Sequence, residues 1–311
     1  MKYYSHPNKL LIDHLREVRD INIKGVAPEL MEALEIAALC HDFGKYTDYF
    51  QKYLIRKKDS DLSRHSFISA IFSAFVAFKR LEADPYLPLI IYNVVIHHHG
   101  NLEIFSQNLP KKVANLKRTD YPIKILINID IAKQQISNLR KNKEKVIGDL
   151  YQLGLNKEFM EFLDLEDGIN KILVKLKRLE WKLDRSEDKE KYYFIHQSLY
   201  SALISADKIS ASGIKYGRPL YADSDTLEEI KNKKFQAATR GINKIRQEIF
   251  QNVMDNLEEN YTKADIFSIT APTGTGKTYS GFYAALKLKE FLGLKGKIIY
   301  ALPYTSIIEQ N

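Results

Sequence analysis

Cysteine is almost absent from this sequence. The single one, Cys40, excludes an internal disulfide framework and a zinc site built from thiolates. It reads as a small buried helix residue rather than a nucleophile. Also missing is any uninterrupted apolar run near the roughly 20 residues that a membrane helix needs. The first nine residues are polar and aromatic, without the apolar centre of a secretion signal. No internal repeat or low-complexity tract occurs. A soluble, cytoplasmic protein is expected.

What is present suits a globular chain. Its 311 residues allow one large domain or two, by a soft prior of about 100–200 residues each. A 45% hydrophobic fraction with 11% aromatic residues supports a buried core. Lys and Arg outnumber Asp and Glu by 47 to 39, a net +8. That balance favours a polyanionic partner, although many proteins that bind no nucleic acid share it.

Helical spacing of apolar residues dominates the first two hundred positions. Residues 8–18 place Leu11, Leu15 and Val18 on one face, with His14 inside the run, and Gly25 and Pro28 end it. Residues 29–41 repeat the pattern up to His41-Asp42, and Gly44 marks a stop. His65 opens a third helix carrying Ile68, Phe72, Phe75 and Val76. Residues 89–96 are apolar and β-branched, compatible with strand or buried helix. Helix is favoured because no turn signal separates them from His97-His98-His99-Gly100. Residues 123–131 are similarly read as helix over a short strand.

Helical patterns follow at 129–142 and 170–183, amid a lysine-rich stretch. Lys111, Lys112, Lys117, Arg118, Lys124, Lys133, Arg140, Lys141, Lys143 and Lys145 outnumber the acids between them. A solvated helical face is the plain reading, and a polyanion track the sharper one. Over 193–210, His196, Tyr200, Leu203 and Asp207 share a stripe. A carboxylate on such an apolar stripe needs a partner or a metal. Gly213, Gly217, Pro219 and Asp223-Ser224-Asp225 then mark a boundary, and 227–257 reads as a helical connector.

Seven of the eight histidines lie in the first hundred residues. His6, beside a proline, is set aside. His14, His41, His65, His97, His98 and His99 each sit on or at the end of an expected helix. Imidazole nitrogen with carboxylate oxygen suits a borderline transition metal. The order His, His-Asp, His, His-His and a distant Asp resembles the HD superfamily of metal-dependent phosphohydrolases, whose fuller form holds two metals in a helical bundle. The resemblance implies that His14, His41, Asp42 and Asp207 hold one metal. It implies that His65, His98 and His99 hold the other, with Asp42 bridging. Of the three adjacent histidines, His98 and His99 are chosen because the family's pair directly precedes a glycine, which leaves His97 as a neighbour.

Two such metals can activate water and clamp a phosphodiester. A His-rich shell favours Mn²⁺, Fe²⁺, Co²⁺ or Ni²⁺ over the oxygen-seeking Mg²⁺. Asp42 and Lys45 are the candidate catalytic pair, Lys45 holding the scissile phosphate. Lys45 reads equally as a lysine placed by a helix dipole.

From Asp265 the periodicity changes. A β-type run at 266–270 precedes Ala271-Pro272-Thr273-Gly274-Thr275-Gly276-Lys277-Thr278; a helix to about 291 and a strand at 297–302 follow. Gly274, Thr275, Gly276, Lys277 and Thr278 match the core of a phosphate loop, with Ala271 where its first glycine stands. Backbone N–H groups cradle phosphate there, Lys277 reaches the β/γ-phosphates of ATP, and Thr278 can hold Mg²⁺. The form resembles superfamily-2 helicases, as does 300–308. No Walker B acid pair, arginine finger or second lobe follows in this chain, so ATP hydrolysis and unwinding are not expected of it.

An HD metal domain leading into a superfamily-2 helicase start resembles the CRISPR-associated type I nuclease–helicases. The expected fold is mainly α: an HD bundle over 1–225, a helical connector over 226–262, and a truncated α/β, RecA-like segment over 263–311. The resemblance implies metal-dependent cleavage of single-stranded DNA in antiviral defence. It also implies a guide-RNA surveillance complex as partner, ATP-driven unwinding by the full helicase, and no membrane. Two alternatives stand: an HD phosphohydrolase acting on nucleotides or cyclic nucleotides, and a non-catalytic HD scaffold that binds nucleic acid.

Overall fold

Pro7 and Asn8 form a tight turn, with Asn8 at φ 70°, and so close a small hairpin of β1 (Tyr4–His6) and β2 (Lys9–Leu10). Residue 8 therefore cannot start a helix, as its spacing suggested, because a left-handed residue ends any helical run. The first helix, α1, spans Leu11–Asn22. The computed structural model describes residues 2–22, 27–57, 60–113, 117–213, 223–234, 241–294 and 296–301. Gly25, Gly217, Pro219 and residues 302–308 lie outside them. The chain divides into two units, Met1–Lys215 and Tyr216–Asn311.

In the first unit α2 (Met31–Cys40) follows a 3-10 turn at Pro28–Leu30. Its residues Ala33, Ala37 and Ala38 are wholly buried, small enough to let neighbouring helices approach. His41 and Asp42 end the helix, and a second 3-10 turn, Phe43–Tyr46, leads to α3 (Asp48–Arg56). Thr47 caps α3, its hydroxyl accepting from the Phe50 N–H at 3.3 Å. Next come α4 (Ser66–Arg80), preceded directly by His65, and α5 (Leu87–Ile96), a helix whose apolar side chains are buried nearly all round. A helix surrounded by other helices needs no polar face, which explains the strand-like composition of 89–96.

Five more helices complete the unit: α6 (Ile123–Lys141), α7 (Lys143–Gln152), α8 (Asn156–Asp164), α9 (Gly168–Leu183) and α10 (Lys189–Ser212). Gly213, at φ 64°, ends α10. Residues 123–131 are thus helical. α4 packs on α5, while α1 packs on α2 and α10, so α1, α2, α4, α5 and α10 form a bundle. One continuous core runs through it, including Leu11, Leu15, Ile68, Ile71, Leu89 and Leu203.

The second unit holds α11 (Ser224–Lys234), α12 (Ile242–Asn260) and α13 (Lys277–Phe291). Phe250 of α12 meets the Tyr283 ring of α13 at 4.9 Å. Ser224 donates its N–H and hydroxyl to Glu290, both at 2.8 Å. Among the described residues, helices account for the regular structure here. The two expected strands are absent: 266–270 and 297–301 run as unpaired chain, with Ile266 88% and Ile299 89% exposed. A parallel strand exists through the neighbours that take its N–H and C=O groups, and no described segment supplies them. An α/β, RecA-like segment is therefore not evident, and the fold described is mainly helical.

Candidate metal centre

Asp42 sits where four helices of the bundle point their histidines. Its two carboxylate oxygens face different groups. Oδ2 lies 3.3 Å from His14 Nε2 and 3.5 Å from His41 Nε2. Oδ1 lies 3.1 Å from His65 Nε2 and 3.4 Å from His98 Nε2. Asp207, on α10, closes the first group from the far side, 3.1 Å from His14 and 3.6 Å from His41. His99 closes the second, its Nε2 2.9 Å from that of His65. His14, His41 and Asp207 can each present one ligand atom within 4.8 Å of the others, as can Asp42, His65, His98 and His99.

The outer nitrogens fix how these rings stand. His41 Nδ1 is 2.8 Å from the Ala38 carbonyl, and His98 Nδ1 is 2.6 Å from that of Val95. A carbonyl only accepts, so both rings carry the Nδ1 proton and turn an Nε2 lone pair inward. His14 Nδ1 meets Ser210 Oγ at 2.9 Å, and that hydroxyl donates in turn to Glu17. Ser210 is then an acceptor for His14, which fixes the same tautomer. Metal-ligating histidines are characteristically held in this way from behind.

Apart from the Lys45 ammonium, 2.7 Å from Asp42 Oδ2, little answers what faces inward. His14 Nε2, His41 Nε2, His98 Nε2 and Asp42 Oδ1 are buried without a hydrogen-bond partner. Their approaches to one another lack hydrogen-bond alignment. Each buried polar atom left in this condition costs about 1–3 kcal/mol, and charged groups cost more. Convergent imidazole lone pairs and carboxylates are a donor set for a divalent cation, so the residues present fit two such ions.

Electrostatics agree. Burial opposes ionisation of Asp42, but Lys45 and His41 outweigh it and hold the carboxyl well below the usual range. Asp207 is likewise held low: burial is overcome by His14 and His41. Burial pushes His65 down to about 4, against Asp42, and His99 down to about 3, with His98 and His65 adding to the effect. Both rings are therefore neutral near pH 7, the form that ligates metal. His14 behaves differently. Burial lowers its pKa, yet Asp207 and Asp42 together raise it above the ordinary value.

The remaining sequence candidates are placed as follows. Lys45 is buried, with Nζ 2.7 Å from Asp42 Oδ2 and 3.4 Å from the Ser5 carbonyl. His97 turns away from both groups, towards Asn108 at 2.9 Å and Glu103 at 3.8 Å. His196 is outside them too, with Nε2 2.9 Å from Asn93 Oδ1. His6 was passed over, yet its ring packs edge-on against His14 at 5.3 Å between centroids. Only the hairpin turn brings it there, and the sequence carries no signal of that contact. Ser210 and Glu17 were missed for the same reason.

In the second unit, residues 271–276 form a loop that ends on α13. Gly274 and Gly276 have φ of 80° and 85°, which glycine adopts without strain. Thr275 Oγ1 donates to the Pro272 carbonyl at 2.7 Å, and Lys277 Nζ donates to that of Ala271 at 2.5 Å. Arg246 donates to the Gly274 carbonyl at 2.8 Å from Nη2. Thr278 is exposed on the first turn of α13. The free N–H groups of that turn suit an anion.

Comparison with known proteins agrees with this geometry. Residues 10–129 match the family model of the HD domain. The chain is also similar to the CRISPR-associated nuclease/helicase Cas3 of Haloferax volcanii, at 24% identity over 302 residues, 89% of this chain and 31% of that protein. It thus spans about a third of the length of the curated relative it matches. The resemblance read from the sequence is borne out: this chain carries an HD domain and is distantly homologous to that nuclease/helicase. Among the described residues no helix is long and apolar enough to cross a membrane.

Proposed function

We propose that this protein is a two-metal nuclease that cleaves single-stranded DNA in CRISPR antiviral defence. The observation that carries the reading is the division of Asp42: one oxygen faces His14 and His41, the other His65 and His98. His14, His41, Asp42 and Asp207 hold one ion. Asp42, His65, His98 and His99 hold the other. Bound there, a pair of divalent ions supplies Lewis-acid stabilisation of a phosphodiester and activation of water. The imidazole-rich donor set favours Mn²⁺, Fe²⁺, Co²⁺ or Ni²⁺ over Mg²⁺.

The chain's own groups prepare this chemistry. Ser210 and the Ala38 and Val95 carbonyls hold three rings with their lone pairs inward. Burial keeps His65 and His99 unprotonated. Lys45 keeps Asp42 ionised, and we assign it the contact to the scissile phosphate. Distant homology to a protein named nuclease/helicase supports DNA as substrate, and with it a guide-RNA surveillance complex as partner and a cytoplasmic setting.

We further propose domain limits of 1–225 for the nuclease and 226–262 for a connector. Residues 263–311 are read as the start of a helicase domain, with Gly274, Thr275, Gly276, Lys277 and Thr278 around the phosphates of ATP. Support for this part comes from the loop geometry and from the relative's name.

One assay tests the reading. The purified chain with Mn²⁺ or Ni²⁺ is offered a single-stranded DNA circle and, separately, small and cyclic nucleotides. Metal-dependent cutting of the circle, lost in Asp42→Ala, is the expected result. Turnover of nucleotides with an intact circle would replace it with a nucleotide phosphohydrolase. Metal binding without any turnover would leave a nucleic-acid-binding scaffold.

A further inference from the structure

A second feature of the first unit lies apart from the metal ligands. An open cleft of about 880 Å³ is walled by α6 and α9, with α4 packed against both. Its floor is apolar and only half-buried, including Phe78, Leu126, Leu165 and Val174. One wall and the rim carry Lys79, Lys117, Arg118 and Lys133. The other wall carries Lys171, Lys175 and Arg178. These last three fall at i, i+4 and i+7 on α9, a single cationic ridge about 10 Å long at 1.5 Å per residue.

Few acids answer this charge. Glu161 pairs with Lys79 at 2.8 Å and Asp130 with Arg118 at 3.5 Å, while Asp167 accepts from the Asn170 amide at 2.6 Å. Lys175 lies over the Phe78 ring at 5.4 Å. Among the described residues, no carboxylate lies within ion-pair distance of Lys133, Lys171 or Arg178, and all three are exposed. Seven cations, Lys79, Lys117, Arg118, Lys133, Lys171, Lys175 and Arg178, thus line the cleft against three carboxylates, Asp130, Glu161 and Asp167, which leaves an excess of positive charge around an apolar floor. The lysine-rich stretch noted in the sequence is therefore divided: Lys117, Arg118 and Lys133 face this cleft, whereas Lys143 and Lys145 do not line it.

We propose that this cleft binds a single-stranded nucleic-acid strand, independently of the metal centre. Phosphates lie along the α9 ridge and towards Lys133, and unpaired bases cover the apolar floor. Cationic grooves with apolar platforms are how single strands are held without sequence preference. A duplex keeps its base faces stacked and would leave the floor uncovered. An acidic protein segment would satisfy the lysines but brings no flat apolar faces. The inference does not rest on the nuclease reading, since it needs neither metal nor cleavage.

The test measures binding of a fluorescent oligo-dT to the full chain in EDTA. Exposed positions are used so that folding is retained, checked by a thermal melt. Lys133→Ala/Lys171→Ala/Arg178→Ala should weaken binding roughly tenfold and flatten the log K against log salt slope by about 2, at ~0.7 per lost phosphate contact. A control triple at exposed lysines outside the cleft, Lys143→Ala/Lys182→Ala/Lys189→Ala, should change it little. Equal losses in both triples would assign binding to diffuse charge and overturn the proposal. Equally effective competition by duplex DNA or by poly-glutamate would also overturn it. Because EDTA silences any metal chemistry, a failed cleavage assay with intact cleft binding counts against the nuclease reading alone, and the reverse result against the cleft alone.

Discussion

Gly44 and His65 touch so closely that no side chain fits between them. A Cβ on Gly44 would stand 2.8 Å from His65 Cβ, 2.8 Å from its carbonyl oxygen and 2.6 Å from Ile68 Cγ2. The Gly44 N–H also donates to Ser69 Oγ at 2.9 Å, which ties the turn after Asp42 to the first turn of α4. This contact sets the distance between Asp42 and His65. Gly44→Ala should therefore destabilise the fold by about 1–3 kcal/mol and weaken metal binding at the His65 group. Calorimetric melting and metal titration check it; unchanged values in both would refute the role given to this contact.

The two ligand groups should be separable by mutation. His41→Ala is expected to reduce bound Mn²⁺ from two ions per chain to one, and so is His98→Ala. Asp42→Ala should disturb both and abolish DNA cleavage. Elemental analysis after gel filtration reads the stoichiometry. Equal residual binding in all three variants would contradict a shared carboxylate.

Ser210 tests positioning from behind. Its hydroxyl accepts from His14 Nδ1 and touches no inward-facing atom. Ser210→Ala should weaken metal affinity at the His14 group about 10- to 100-fold, as loss of such partners generally does. Affinity at the His98 group should hold. Titration followed by calorimetry distinguishes the two, and an effect on the His98 group alone would be the wrong outcome.

His196 provides a pH signature away from the metal ligands. Burial lowers its pKa to about 4, from an ordinary 6.5. The unfolded chain then binds a proton between these values that the folded chain does not. The sign is that stability is full above pH 6.5 and falls as pH drops towards 4, by roughly 3 kcal/mol for this residue. His65 and His99, also lowered by burial, act in the same direction in the parent chain and in a His196→Gln variant alike, so the difference between the two isolates His196. His196→Gln should lessen the acid loss between pH 6.5 and 4 in urea melts. An unchanged pH dependence would show that His196 does not contribute.

Lys277→Ala should leave DNA cleavage by this chain unchanged, because Lys277 belongs to the second unit and to neither of the two ligand groups around Asp42. A nuclease rate that fell with Lys277 would make the two units functionally dependent.

The histidine order in the sequence pointed to residues that the fold does bring together. His14, His41, His65 and Asp207 each lie on or beside a helix whose apolar spacing is plain, whereas for His98 and His99 only the missing turn signal after 89–96 favoured helix over strand. His98 and His99 were chosen over His97 because the resembling family's pair directly precedes a glycine; in the fold the turn after α5 sends His97 to Asn108 and the next two towards Asp42 and His65. Ser210 meets His14 across 196 positions, and no local pattern marks such a partner. The strands expected at 266–270 and 297–302 followed a correct local propensity. Propensity alone forms no sheet without neighbouring strands, and the part of 266–302 that is described stays unpaired. The cleft cations were visible as a basic stretch, but their convergence needed α6 and α9 to be placed.

The central claim is that Asp42 bridges two ions. Crystals grown with Mn²⁺, measured at its absorption edge, test it directly. The expected map has two anomalous peaks about 3.5–4 Å apart, one beside His14, His41 and Asp207, the other beside His65, His98 and His99, with an Asp42 oxygen on each. A single peak, or a pair in which Asp42 touches only one, would contradict it.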